Sequence, residues 1–404
     1  MPHVLLIIPT QTYRATDFIT AADALGIELS VASEEELPLV ATDRQVRIDC
    51  TRPEWSAQVM ADHAARMPID SIVPLDDQGV VMAARAAHLI GLPHNPPDGA
   101  AATRNKVMMR RRLAQDEISQ PRFTVMESGD SPAGVASQMG LPVVFKPLSR
   151  SGGQGVIRVN KATDADRAVR RIRRILASAG ENPNQPILVE EFLPGGEVAV
   201  EGLLSAGRLE ILTVFDKPGA PQGPYFEETI LIAPSQLPSM VLAEVEHLTR
   251  RAVLALGLKE GPIHAELRIG SDRVSVLEVA ARSIGGLCSR SLRFGLMADS
   301  WESLILRQAL GIEIPSTVRQ PAATGVMMLP IPRSGRLVGV EGTDEARQTP
   351  GIVDLEITIP VGGRIMALPD GDRYLGFLFA AAARRAHVER ALREAFSRLQ
   401  IIIE

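Results

Sequence analysis

The chain has 404 residues, 45% hydrophobic and 23% charged, with a formal net charge of −5. That length accommodates two or three domains and a sizeable buried core, and the acidic balance supplies no global attraction for nucleic acid. Cys50 and Cys288 form neither a disulfide framework nor a metal-ligand cluster; with no signal-peptide pattern and no run of bilayer-spanning length, a soluble cytoplasmic protein is expected.

Residues 3–9 form a short, wholly apolar run, as in a buried parallel strand. Phe18, Ala21, Ala22 and Leu25 recur at helical spacing, Gly26 stops that helix, and 27–32 reads as a second strand. A third buried strand is expected at 71–75 and a helix at 79–90, closed by Gly91. This alternation predicts a doubly wound α/β domain over residues 1–100. Asp76 and Asp77 fall at a strand's carboxyl end, where open sheets bind ligands, but capping of the next helix is the favoured reading.

A Pro-rich joint at 92–98 marks a domain boundary, and one helix is expected over 101–115. It carries Lys106, and Arg110, Arg111 and Arg112 read as its solvated face. After a strand at 122–126 and a helix at 131–139 comes the most informative stretch, VVFKPLSRSGGQGVIRVN at 143–160. Its β-prone runs, 142–147 and 156–160, flank a loop in which Gly152, Gly153 and Gly155 let backbone N–H groups converge on anionic oxygens. Lys146 lies on the strand face opposite Val143 and Phe145, where it can set a point charge on a phosphate. A flexible surface hairpin is the competing reading, because a lone Gly-rich loop is a weak signal and no Walker-type loop is present.

Residues 164–179 form a strongly amphipathic helix with Arg167, Arg170, Arg171, Arg173 and Arg174 on its solvated face. Strands are expected at 187–192, 197–204 and 208–215, then a Gly- and Pro-rich loop at 216–226 able to cover a site, and a helix at 240–256. In 263–269, Ile263, Ala265, Leu267 and Ile269 alternate with His264, Glu266 and Arg268. A turn at 270–272 returns the chain along 274–281, which sets Glu266 opposite Glu278 and on the face of Arg282. Two carboxylates across a ladder repel unless a cation sits between them; oxygen ligands of this kind suit Mg²⁺ bridging phosphates. A fortuitous surface pair is the alternative. Arg282 can stabilise charge on a transferring group or neutralise Glu278, and Gly285 and Gly286 permit close backbone approach to a substrate. Short strands at 322–329, 336–340, 353–359 and 363–367 and a long helix at 374–399, divided near Arg384, suggest a small α+β terminal domain.

Taken in order, NKVMMRRRL, VVFKP, the glycine loop, EEFLPGGE, HAELR and LEVAAR resemble the ATP-grasp superfamily of carboxylate-activating ligases over nearly the whole chain. The resemblance implies an ATP-grasp fold of mixed α/β and α+β class. Its parts would be an N-terminal α/β domain (1–100), a nucleotide-binding and catalytic region (101–315, lid-like over 101–190 with the central sheet over 191–315) and a C-terminal α+β domain (316–404). By that likeness Lys106 and Lys146 contact ATP phosphates with the amides of Ser151, Gly152, Gly153 and Gly155. Glu190, Glu191, Phe192 and Leu193 line the adenine slot, and Glu197 takes the ribose hydroxyls. Glu266 and Glu278 hold Mg²⁺, with Mn²⁺ an alternative, and Arg282 faces the γ-phosphate and an acyl phosphate. Lys217, Glu228, Arg268, Gly285 and Gly286 are the substrate candidates, the loop 216–228 and the glycine loop the lids.

Ala280 departs from D-alanine–D-alanine ligases, which place an asparagine two residues after the second metal carboxylate. The EVAAR form is instead similar to L-amino-acid ligases, which make dipeptides. The implied partners are a small carboxylic acid and an amine, with a homodimer by analogy. An ATP-grasp carboxylase-like ligase with another acceptor and a non-catalytic nucleotide-binding regulator are the alternatives.

Overall fold

The computed structural model describes residues 1–10, 12–219, 223–227 and 230–404. The first part alternates as expected: β1 (His3–Ile7), α1 (Ala15–Leu25), β2 (Glu28–Ser33), β3 (Gln45–Arg47), α2 (Pro53–Arg66), β4 (Ser71–Pro74) and α3 (Val80–Ile90). The four strands are parallel in the order β3-β2-β1-β4. Gly26 and Gly91 end α1 and α3 in the left-handed region, at φ 65° and 74°, which costs an ordinary side chain. The short β3 and α2 have no counterpart in the expected elements.

The helix expected over 101–115 is two helices, α4 (Pro97–Arg104) and α5 (Lys106–Gln115). Asn105 divides them because its side chain accepts from the amides of Val107 and Met108, an N-cap that restarts the helix in a new direction. Arg110 is 2% exposed, so it does not belong to a solvated face.

Next come β5 (Phe123–Met126), α6 (Pro132–Met139), β6 (Val143–Lys146), β7 (Ile157–Val159), α7 (Ala165–Ser178) and β8 (Ile187–Glu191), a four-stranded sheet of order β5-β8-β6-β7. The apolar face of α7 packs beneath it through Ala168, Val169, Ile172 and Leu176.

The remainder contains β9 (Gly196–Ser205), β10 (Arg208–Lys217), β11 (Ile230–Ala233), α8 (Ser239–Ala255), β12 (Gly261–Ile269), β13 (Val274–Ala280) and α9 (Trp301–Ala309). It continues with β14 (Ala323–Leu329), β15 (Gly335–Glu341), α10 (Thr343–Arg347), β16 (Ile352–Ile357), β17 (Arg364–Ile365), β18 (Gly376–Ala382), α11 (Arg385–Ser397) and β19 (Gln400–Ile403). One sheet of eight strands, β13-β12-β9-β10-β11-β14-β18-β16, runs through all of it. Of the terminal α+β part, β14, β18 and β16 belong to that sheet, while β17-β15-β19 form a separate three-stranded sheet. The expected helix at 374–399 is wrong in its first half: Gly376–Ala382 is a strand between β14 and β16. Phe377, Leu378, Phe379 and Ala380 are buried, and burial in the sheet overrides the helical bias of the alanine run. Arg384 does mark the start of α11.

The segment 367–373 straps the first two parts to the last. Gly155 N donates to Pro369 O at 2.9 Å and Gln154 Nε2 to Asp370 O at 2.7 Å. Arg171 grips the Asp370 carboxylate with two hydrogen bonds of 3.1 and 2.8 Å, and Arg373 lies over the Tyr13 ring.

Candidate active site

The antiparallel pairing of β12 with β13 sets Glu266 directly opposite Glu278, beside a bulge. On the other side of β12, β9 pairs His264 with Glu201 and Arg268 with Glu197, and β10 brings Lys217 opposite Glu197. Paired residues share a face, so three strands gather four carboxylates on one wall. Cations are interleaved among them. Lys217 Nζ is 2.6 Å from Glu197 and 2.8 Å from Glu266, Lys106 Nζ is 2.9 Å from Glu278, and Arg268 is 2.8 Å from Glu197. Lys217 thus ends a strand and does not lie in the loop expected at 216–226. Glu228 lies outside the described residues.

His264 and Glu201 underpin this wall. His264 Nδ1 lies 2.6 Å from Glu201 and Nε2 3.4 Å from Glu266. Burial disfavours the imidazolium, but the hydrogen bonds and charges of Glu201 and Glu266 outweigh it and raise its pKa to about 9. The other Glu201 oxygen accepts from Ile284 N and Trp301 Nε1, each at 3.0 Å. Arg14 reaches the same turn, donating to Ser283 Oγ at 2.6 Å. The Arg282–Gly286 turn is thereby fixed from two sides, with Gly286 at φ 61° against the Phe377 ring.

The glycine-loop strand carries Lys146 toward Glu190, 2.6 Å away, and Arg110 meets the same carboxylate at 2.5 Å. Burial opposes ionisation of Glu190, yet Arg110 and Lys146 hold its pKa at about 2. Arg110 also donates to Leu277 O at 2.6 Å, tying this triad to β13. Glu191 is paired with Arg122 and Arg273, and the Phe192 ring lies 3.8 Å beneath the Arg158 guanidinium. In the loop, Gly152 and Gly153 adopt φ 61° and 74°, and a Cβ on Gly153 would stand 2.8 Å from Phe226 O. The nest is smaller than expected: the amide of Gly155 donates to Pro369 O and that of Gln154 to Ser151 O. Ser151, Gly152 and Gly153 remain as its candidates.

Asp76 and Asp77 make no side-chain capping bond, which overturns the capping reading. Asp77 instead pairs with Arg282 at 2.9 Å and Arg104 at 3.1 Å. Burial opposes this ionisation too, but the two guanidinium groups hold the Asp77 carboxyl far below the usual carboxylate range. The same pairing, against the cost of burial, raises the pKa of Arg282.

All these groups converge. A cavity of about 1300 Å³ is lined by Lys106, Lys146, Ser151, Gly152, Gly153, Glu190, Glu191, Phe192, Leu193, Glu197, Lys217, Glu266, Arg268, Glu278, Arg282, Gly285 and Gly286, with Asp77 from the first sheet and Tyr374 from the last part. Of the described candidates only Gly155 stays outside its lining. The sequence reading missed Glu201 and Arg104, favoured capping for Asp77 although its place at a strand's carboxyl end was the available signal, and took Arg110 for a solvated residue; Glu201 is a lone carboxylate four positions from Glu197 in an apolar strand. The donor set for a divalent cation is two carboxylates on a cavity wall, and no three or more His, Cys, Asp or Glu among the described residues are placed to hold a metal ion together. That set fits Mg²⁺, which keeps waters and takes further oxygens from phosphates.

Three family models match: an ATP-grasp N-terminal domain over 19–94, an ATP-grasp domain over 139–291 and the L-amino acid ligase C-terminal domain 2 over 327–404. The chain has an ATP-grasp fold with an ATP-grasp domain over 139–291. Within that class it is similar to the L-amino acid ligase of Bacillus licheniformis, with a TM-score of 0.83 and 25% identity over 100% of this chain and 99% of that one. An N5-carboxyaminoimidazole ribonucleotide synthetase of Thermotoga maritima shares the fold at a TM-score of 0.73 and 15% identity, each chain covered in full. The alanine–anticapsin ligase of Bacillus subtilis is 25% identical over 70% of this chain and 67% of its own length. A D-alanine–D-alanine ligase of Bordetella petrii is 29% identical over 43% of this chain and 53% of that protein. An uncharacterized protein of Sinorhizobium fredii is 25% identical over 75% of this chain and 62% of its own length, so the chain spans about half to two thirds of several curated relatives. Among the described residues no helix is long and apolar enough to cross a membrane.

Proposed function

We propose that the chain is an ATP-dependent carboxylate–amine ligase that joins two amino acids, or a similar small acid and amine, through an acyl phosphate. The observation that carries this reading is the register placing Glu266 opposite Glu278 on a cavity wall shared with Lys106, Lys146 and Arg282. The likeness to L-amino acid ligase and alanine–anticapsin ligase points to the amine acceptor. Residues 1–100, 101–315 and 316–404 serve as its three working parts, with the β5-β8-β6-β7 sheet as the lid.

Glu266 and Glu278 would hold Mg²⁺, which would supply charge neutralisation on the ATP phosphates; Mn²⁺ suits the same oxygens. Lys106 and Lys146 place positive charge on those phosphates, and the amides of Ser151, Gly152 and Gly153 donate to their oxygens as a nest. Glu190 orients Lys146 while the 190–193 segment flanks the adenine. Glu197, held by Lys217 and Arg268, retains lone pairs for the ribose hydroxyls. A substrate carboxylate attacks the γ-phosphorus in line as the bond to the bridging oxygen breaks and ADP leaves, and Arg282 offsets negative charge as it spreads over the transferring group. An amine then attacks the acyl carbon and phosphate leaves. Lys217, Arg268, Gly285 and Gly286 lie along the wall where acid and amine meet, and the glycine loop with the strap over it excludes water that would hydrolyse the intermediate.

The test is phosphate release from ATP and Mg²⁺ across paired amino acids, with mass spectrometry of the products. Release that needs both partners and yields their condensed mass is expected. Glu266→Gln and Glu278→Gln should each abolish ADP formation with an unchanged circular dichroism spectrum; full turnover in both removes the metal assignment. Release dependent on bicarbonate, without a condensed product, would favour the carboxylase-like alternative.

A further inference from the structure

The acidic residue at the carboxyl end of β4 has no part in the chemistry above, yet it sits where three segments of that chemistry meet. Asp77 Oδ2 accepts from Ser151 Oγ at 2.7 Å and from Arg282 at 2.9 Å. Arg104 pairs with Oδ1 at 3.1 Å, donates to Ser151 Oγ at 3.3 Å and to Ser149 O at 2.8 Å. One carboxylate oxygen of the N-terminal sheet is therefore shared by the glycine loop and by the arginine proposed to face the transferring phosphoryl group. The second NH of Arg282 donates to Ser283 O at 2.8 Å, so the guanidinium plane is fixed along one edge.

We propose that Asp77 is a positioning residue that couples closure of the glycine loop to the orientation of Arg282, a role that rests on the ligase reading above. Geometry supports it. Asp77 holds two guanidinium groups at one point of the wall, and Arg282, Arg104 and Ser151 all line the cavity. A phosphate there meets guanidinium groups whose geometry Asp77 sets. When the loop is displaced, Ser151 leaves Oδ2 and Arg282 loses a co-donor that fixes the carboxylate plane. Closure over ATP thus restores the arginine to one geometry. A loose arginine would bind ground-state phosphate as well as a fixed one but stabilise the transition state less.

The test pairs kinetics with a readout that needs no turnover. Asp77→Asn should lower kcat by about 100-fold, the scale of one lost oxyanion contact, and leave the KM for ATP within about threefold. Ser151→Ala should lower kcat less, and the double variant should match Asp77→Asn within about twofold, because the two groups act through one contact. Wild-type kcat in Asp77→Asn, or losses that multiply in the double variant, overturns the proposal. Hydrogen exchange of residues 148–156 is then followed with a non-hydrolysable ATP analogue. Slowed exchange in the wild-type protein that is lost in Asp77→Asn and in Ser151→Ala, both with unchanged melting temperature, supports the coupling; full protection in both overturns it. Should Asp77→Asn fail to fold, Ser151→Ala carries the exchange test alone. If the wild-type protein condenses no pair, the ligase reading fails while the exchange experiment still decides whether Asp77 holds the loop.

Discussion

Removing the charge of Glu190 by Glu190→Gln should destabilise the protein by about 3 kcal/mol at pH 7. Glu190 is 1% exposed and Arg110 2% exposed, and Arg110 cannot swing into solvent because it also donates to Leu277 O. Breaking a buried pair while one charge stays in place costs about 3–5 kcal/mol; the glutamine oxygen still accepts a hydrogen bond, which favours the lower end. Proton affinity gives the same scale. The carboxyl falls from 4.5 to about 2 on folding, which at about 1.4 kcal/mol per tenfold change is about 3 kcal/mol. The sign follows from that depressed value: the stabilisation is fully present above pH 4.5 and is lost as pH falls toward 2. Urea unfolding of both proteins from pH 7 down to pH 3 should therefore show a gap that narrows below pH 4.5. A gap under about 0.5 kcal/mol at pH 7, or one that does not change with pH, would refute the reasoning.

Three further substitutions probe the frame of the site. Gly286→Ala places a Cβ 2.7 Å from the buried Phe377 ring at a backbone φ of 61°, so the turn carrying Arg282 must shift; a stability loss of about 2 kcal/mol and loss of turnover are expected, and a fully active variant would show that the turn tolerates movement. Arg171→Ala and Asp370→Asn cut the half-exposed pair of the strap, so each should change the melting free energy by less than about 1 kcal/mol. Each should also raise the KM for ATP by about three- to tenfold as the lid loosens, with recovery in the charge-swapped pair; unchanged KM in both single variants would deny the strap a role in closure.

The β12–β13 hairpin was legible because its signals are local, an alternating strand and an apolar run on either side of a Gly-Ser-Asp turn; counting about Asp272 sets Glu266 opposite Glu278, a pairing the structure reaches through the bulge between Glu266 and Leu267. The N-terminal alternation was legible in the helices that end on a glycine, α1 and α3, whereas α2, which ends at Met67, was missed. The failures have a different physical origin. Gly376–Ala382 has no local mark of a strand, and only the neighbours β14 and β16 make it one. Asp77 meets Arg282 across 205 positions and Arg110 meets Glu190 across 80, so nothing nearby in the chain distinguishes a buried ion pair from a cap or a solvated face. Lys146 and the glycines were found by their residue types, but the use of the Gly155 amide by Pro369 depends on a segment more than two hundred residues away.

The eight-stranded sheet sets a limit on dissection of the molecule. β11, whose four residues are all buried, is paired along its length with β14. A chain cut before residue 323 would lose β14, β18 and β16 together and bare an apolar strand edge of the kind that recruits other strands. The part before residue 316 is thus not separable as a minimal unit, and swapping C-terminal parts between related chains would need to exchange β11 and its partners as one block. Recombination at the obvious boundary near residue 316 would instead join halves of a single hydrogen-bonded ladder that had never been fitted to each other.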